Sequence, residues 1–228
     1  MKKRKNDLLT EIKAIDITTL LEYTDKVYRP FDPGLYLYNL TLKKTIEEKF
    51  TDEFIELVYT TLIAWNMNQR GAKLSEFEEF KKSLLEHKEI IQSLAKYRIE
   101  ELECIDSLKE SIRFLFINLN LVAEDKPKLV TFSKTLHFFL PNLLMPIDRA
   151  YTLMFFYNNV NFDKTKNDEQ IQMYLAIFEQ FRLFAKAHFD SDAFKDCNKR
   201  WDKNIPKMID NMIIAYVRQK GEFTYDKS

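Results

Sequence analysis

Glycine occurs at only three places in this chain of 228 residues, Gly34, Gly71 and Gly221, and no two of them are close together. That scarcity constrains the fold more than any other feature. A Rossmann turn or a P-loop needs clustered glycines so that backbone amides can approach phosphate, and both are excluded. Antiparallel sandwiches and barrels need glycine-bearing turns at short intervals, which this chain does not have. Six prolines add little further punctuation. Hydrophobic residues nonetheless make up 46% of the chain and aromatics 14%, enough for a sizeable core and too many for disorder. The expectation is an all-α fold.

Periodicity agrees nearly throughout. Phe54, Leu57, Val58, Thr61, Leu62 and Trp65 fall at i, i+3, i+4, i+7, i+8 and i+11, a stripe down one helix face. Thr51 stands where an N-cap belongs, with Asp52 and Glu53 in the first turn, and Gly71 is the expected terminator beyond. Ser75 with Glu78, Ser107 with Glu110, and Asn167 with Gln170 read as capping devices for later helices. Thr131 to Leu140 is a short helix stopped by Pro141. Asp148 is placed to cap a helix beginning at Arg149, and Asn204 with Pro206 opens the last one. Leu35 to Leu40 reads as extended. The pattern predicts one compact multi-helix domain of about seven or eight helices. A core domain spans 50–228, and 1–49 is an N-terminal accessory segment.

Lys+Arg and Asp+Glu both number 35, so no net basic field draws the chain onto nucleic acid. Met1-Lys2-Lys3-Arg4-Lys5 is a local basic cluster that reads as a solubilising terminus more readily than as a phosphate contact. Asn-Asp-Leu-Leu-Thr-Glu follows it instead of an apolar run, so no signal peptide is expected. No stretch is long and apolar enough to span a membrane. Cys104 and Cys197 lack any pairing pattern, which points to a reducing cytoplasm. His87, His137 and His188 are dispersed and there is no CxxC, so neither a metal site nor a cofactor is expected.

The stretch 130–152 carries the most chemistry. Phe132, Leu136, Phe139 and Leu140 form one face, which turns Lys134 and His137, i and i+3 neighbours, outward or into a cleft. A chain reversal over Pro141–Pro146 then brings Asp148 to a helix start beside them. A lysine in a cleft with a carboxylate nearby can serve as an amine nucleophile with an electrostatic partner. The plainer reading also stands: Asp148 caps, Lys134 snorkels and His137 is a satisfied buried histidine. The run Asn66-Met67-Asn68-Gln69-Arg70 has the same two faces. Its amides and arginine can hold a base edge or a phosphate, or they can satisfy the carbonyls at a helix end. Trp65 belongs to the apolar stripe and reads as core.

The strings Trp65-Asn-Met-Asn-Gln-Arg-Gly-Ala-Lys-Leu74, Ser133-Lys-Thr-Leu-His-Phe-Phe-Leu-Pro141, Pro146-Ile-Asp-Arg-Ala-Tyr-Thr152 and Ile205-Pro-Lys-Met-Ile-Asp210 resemble an uncharacterised bacterial and archaeal family of helical proteins. A second resemblance is to the helix-hairpin-helix DNA glycosylases, in the order Asn66/Asn68/Gln69/Arg70, then Ser133-Lys134, then Pro146-Ile147-Asp148. It implies that Lys134 attacks the sugar carbon of a flipped nucleotide and that Asp148 balances the developing charge. Asn66, Asn68, Arg70, His137 and Arg149 are then the expected substrate-binding residues. Three functions follow from these readings: a DNA-binding or nucleic-acid-processing protein, a non-enzymatic partner in a protein assembly, or an enzyme on small molecules. The expected partners are accordingly DNA or another protein.

Overall fold

The computed structural model describes residues 4–13, 17–27, 33–68, 73–124, 126–158, 166–197 and 200–225. Among these residues it is helical with no strand. Twelve α-helices occur: α1 Leu8–Lys13, α2 Ile17–Val27, α3 Pro33–Thr41, α4 Asp52–Ala64, α5 Phe77–Glu86, α6 Lys88–Leu94, α7 Asp106–Asn118, α8 Leu129–Phe139, α9 Met154–Tyr157, α10 Asn167–His188, α11 Asp192–Lys195 and α12 Ile205–Tyr225. Several are pieces of four to seven residues, too short to leave a periodic signature. Leu74 and Val122 make one isolated antiparallel bridge. No helix among the described residues is long and apolar enough to cross a membrane.

Two helices organise the rest. In α8 every residue except Val130 is buried, so neighbours surround it on all sides. α10 runs for 22 residues and packs against α1, α7, α8 and α12. Its glutamines serve other helices: Gln170 Oε1 accepts from Leu129 N at 3.1 Å, and Gln180 Oε1 accepts from Leu8 N at 3.0 Å. These bonds satisfy amides at the starts of α8 and α1 that no intrahelical carbonyl can reach. α2 lies along α12 and α3 along α4, and Leu8, Ile12, Leu20, Leu21 and Tyr38 enter the same buried cluster as the later helices. Burying each such side chain contributes about 1.5–3 kcal/mol.

Local rules hold at some helix ends and give way at others. Thr51 Oγ1 accepts from Phe54 N and caps α4. Asn204 Oδ1 accepts from Lys207 N at 2.9 Å and caps α12. Three other expected caps do not form. Ser75 donates its hydroxyl to Asn120 O at 2.8 Å beside the Leu74–Val122 bridge, and Glu76 precedes α5 without a side-chain cap. Ser107 lies inside α7, which starts one residue earlier. Lys166, not Asn167, precedes α10. The 35–40 stretch is helical rather than extended. Its leucines and tyrosines give no polar alternation, and burial of Gly34, Tyr38 and Thr41 at i, i+4 and i+7 sets a helical face.

Candidate functional site

The end of α4 forms one wall of a cleft. Asn66 N donates to Ile63 O and Met67 N to Leu62 O, both near 3.0 Å, with Asn66 in the left-handed region at φ 61°. This is a Schellman termination with asparagine at the left-handed position, a conformation asparagine tolerates better than most residues. The helix therefore ends here, before the expected terminator Gly71, which lies outside the described residues, as does Arg70. The termination turns Trp65 and Asn66 toward α8 and α12. Trp65 is only half buried, and its ring packs against Tyr38 and Phe138.

The opposite wall comes from the return after α8. Three polar side chains of this buried helix bond to the segment that folds back over it. His137 Nδ1 lies 2.6 Å from Leu144 O, Ser133 Oγ accepts from Ile147 N at 3.0 Å, and Lys134 Nζ lies 3.5 Å from Asp148 Oδ2. Asp148 uses its carboxylate twice. Oδ1 accepts from Ala150 N at 2.7 Å and caps the next element, which leaves Oδ2 to face Lys134. That element opens as a π-helix, Arg149–Leu153, closed by Leu153 N to Asp148 O, before continuing as α9.

α12 completes the enclosure. The cleft measures about 510 Å³, within the range of small-molecule sites, and is lined by Tyr38, Trp65, Asn66, Lys134, Asp148, Trp201, Lys207, Asp210 and Arg218 among others. Lys207 Nζ pairs with Asp210 Oδ2 at 2.8 Å, and Thr152 Oγ1 donates to Asp210 Oδ1 at 2.9 Å. Both ammonium groups lie over Trp65, at 5.6 Å from the ring centroid for Lys134 and 5.8 Å for Lys207. Burial lowers the proton affinity of Lys134, against the pull of Asp148 and Asp210, and the nearby Lys207 charge lowers it further. An amine so placed sheds its proton more easily than an exposed lysine and becomes a better nucleophile.

Asn66, Lys134 and Asp148 thus share the cleft. His137 does not, nor does it face outward: it is fully buried behind Tyr38, because α8 has no free face to offer it. Asn68 Oδ1 accepts from Leu74 N at 2.9 Å and so braces the chain after α4 instead of lining the cleft. Arg149 is half buried next to Asp148 and is not a lining residue. Sequence reasoning missed Trp65, Trp201, Lys207, Asp210 and Arg218. A usable signal existed for one of them: Asp210, with Asn211 beside it, interrupts the apolar run of α12 on a buried face, and buried polar groups demand partners.

Among the described residues no group of three or more His, Cys, Asp or Glu could hold a metal ion. No protein-family model, no curated protein and no solved structure matches this chain.

Proposed function

We propose that the cleft is a nucleic-acid-processing site in which Lys134 is the nucleophile and Asp148 its counter-charge. The observation that carries this reading is the buried Lys134 Nζ, 3.5 Å from Asp148 Oδ2 on the wall of an open cleft. The order of a polar helix end at Asn66, a lysine on α8 and Pro146-Ile147-Asp148 at the next helix start supports a glycosylase-like arrangement with DNA as substrate. In the reaction the Nζ lone pair forms a bond to C1′ of an extruded nucleotide. The glycosidic C1′–N bond breaks, its electron pair leaves with the base, and the proton shed by Nζ is accepted at Asp148 Oδ2 and passed to the departing base. A cytoplasmic setting fits Cys104 and Cys197, both unpaired.

The Nζ lone pair then expels O4′, which takes up a proton, and leaves an Nζ=C1′ iminium; borohydride hydride should reduce it to a stable adduct with damaged or abasic duplex, and Lys134→Gln should abolish that adduct. Absence of any adduct together with absence of salt-sensitive DNA binding overturns the reading. The competing reading, a non-enzymatic protein-interaction module, draws on exposed Phe114 and Ile117 on α7 and on the zero net charge. It predicts that α7 surface substitutions alter association while Lys134→Gln alters nothing.

A further inference from the structure

We infer that Lys207 is a positioning residue whose ammonium, held over the same Trp65 ring as Lys134 Nζ, opposes protonation of Lys134 and so favours its free amine. The inference rests on the proposal that Lys134 is the nucleophile of the cleft, and Lys207 acts through Lys134, not on the substrate.

The two lysines are held unequally. Lys207 makes a short charge-assisted bond to Asp210 at 2.8 Å, and Lys134 only a long contact to Asp148 at 3.5 Å. Asp210 is fixed from behind by Thr152 Oγ1, and Thr152 Oγ1 itself accepts from Asp148 N at 3.2 Å. One buried hydroxyl therefore joins the Asp210 carboxylate to the main-chain amide of Asp148. Lys207 is the better-paired cation. Lys134, desolvated and near a like charge, is the one whose hold on its proton is weakened.

The charged and titratable groups around Lys134 are few. Asp148 faces it from the turn after α8, and Lys207 and Asp210 face it from α12. His137, on its own helix, is held neutral, and Tyr38 beside it stays protonated. Arg218, which also lines the cleft, bonds to Tyr151 Oη at 3.2 Å. Within this set Lys207 is the nearby cation whose charge opposes protonation of Lys134.

Formaldehyde with cyanoborohydride tests this on the whole protein. The free Nζ adds to the formaldehyde carbon to give a carbinolamine, water leaves to give an iminium, and hydride from cyanoborohydride reduces it to the methylamine. Peptide mass spectrometry reads methylation of Lys134 across pH against exposed Lys82, whose side chain is 76% accessible. Wild-type Lys134 should label with a lower midpoint pH than Lys82. Lys207→Gln should move that midpoint up and cut the Lys134 to Lys82 ratio near neutral pH by about tenfold, the order expected for removing one nearby like charge. Lys207→Arg should restore it.

An unmoved midpoint in Lys207→Gln, or no rescue by arginine, overturns the inference. Thermal unfolding checks the fold of each variant, and Lys207→Met gives the same readout with the stem preserved if glutamine disturbs packing. No nucleic acid is used. A shifted midpoint without any DNA adduct therefore refutes the nucleic-acid reading alone, and an adduct without a shift refutes only the role of Lys207.

Discussion

Acid should unfold this protein through His137. Its Nδ1 lies 2.6 Å from Leu144 O, an atom that can only accept, so Nδ1 carries the proton and Nε2 is the acceptor. Tyr38 Oη–H therefore donates to Nε2 at 2.7 Å, and the same Tyr38 oxygen accepts from Asn204 Nδ2 at 2.7 Å. A second ring proton would face an oxygen already receiving one N–H and would strand the tyrosine's own proton. Burial, the dominant cause, together with the Lys207 and Lys49 charges, pushes the His137 pKa down to about 3 from 6.5, against the Leu144 bond, which favours the charged ring.

The folded value lies below the unfolded one, so the unfolded chain takes up the proton first. Stability is intact above 6.5 and falls as pH drops toward about 3. At 1.36 kcal/mol per unit, going from pH 7 to pH 4.5 removes about 2.7 kcal/mol through this residue alone. Urea unfolding at the two pH values measures it, with His137→Gln as reference because glutamine can serve both partners and does not titrate. Carboxylates titrate in both proteins and cancel in the difference. Wild type should lose about 2–3 kcal/mol more than the variant on acidification. A difference below about 0.5 kcal/mol would refute the buried neutral imidazole.

Two further outcomes follow from the same structure. Lys49 donates to Phe139 O at 3.0 Å in a buried site, and desolvation lowers its pKa to about 8 from 10.5; stability should therefore rise by about 3 kcal/mol between those pH values, and Lys49→Met should flatten that rise in urea titrations. Asp148→Asn keeps an acceptor for Ala150 N, whereas Asp148→Ala loses the cap as well, so melting experiments should place the alanine variant about 0.5–2 kcal/mol below the asparagine one.

Sequence periodicity sufficed for α4 and α12, because each carries apolar residues at helical spacing and a capping residue whose oxygen meets an amide of its own first turn. It failed where the solvent face was also apolar or where a cap was needed elsewhere. The leucine and tyrosine run of α3 shows no polar alternation because apolar side chains stand on its outer face too, with Tyr36 exposed. Ser75 and Gln170 satisfy the cap pattern in sequence, yet their side chains bond to Asn120 O and Leu129 N. Those are main-chain groups beside the core, and leaving one unpaired costs about 1–3 kcal/mol, more than a surface cap returns. Local patterns cannot show such distant demands, which arise only once 75 meets 120 and 129 meets 170.

The site divides along the same line. α8 is buried on nearly every side, so a polar side chain on it gains from a partner, and three find one on the returning segment: His137 with Leu144, Ser133 with Ile147, Lys134 with Asp148. The pairing of 134 with 148 was legible because a short reversal joins them in sequence. The role of each residue was not, since lysine and histidine both read as candidates there. What separates them is the quality of the pairing and the access to solvent. Ser133 and His137 make bonds of 3.0 Å or less, wholly inside the core, and are structural. Lys134 makes the longest of the three contacts, to a carboxylate whose other oxygen is committed to a cap, and it lines the cleft. A buried amine with one long hydrogen bond is a poor choice for stability, because replacing such an ion pair by apolar residues is often neutral or better. The physics that explains Ser133 and His137 as struts leaves Lys134 unexplained by stability, and this residual is what makes it the residue to test first.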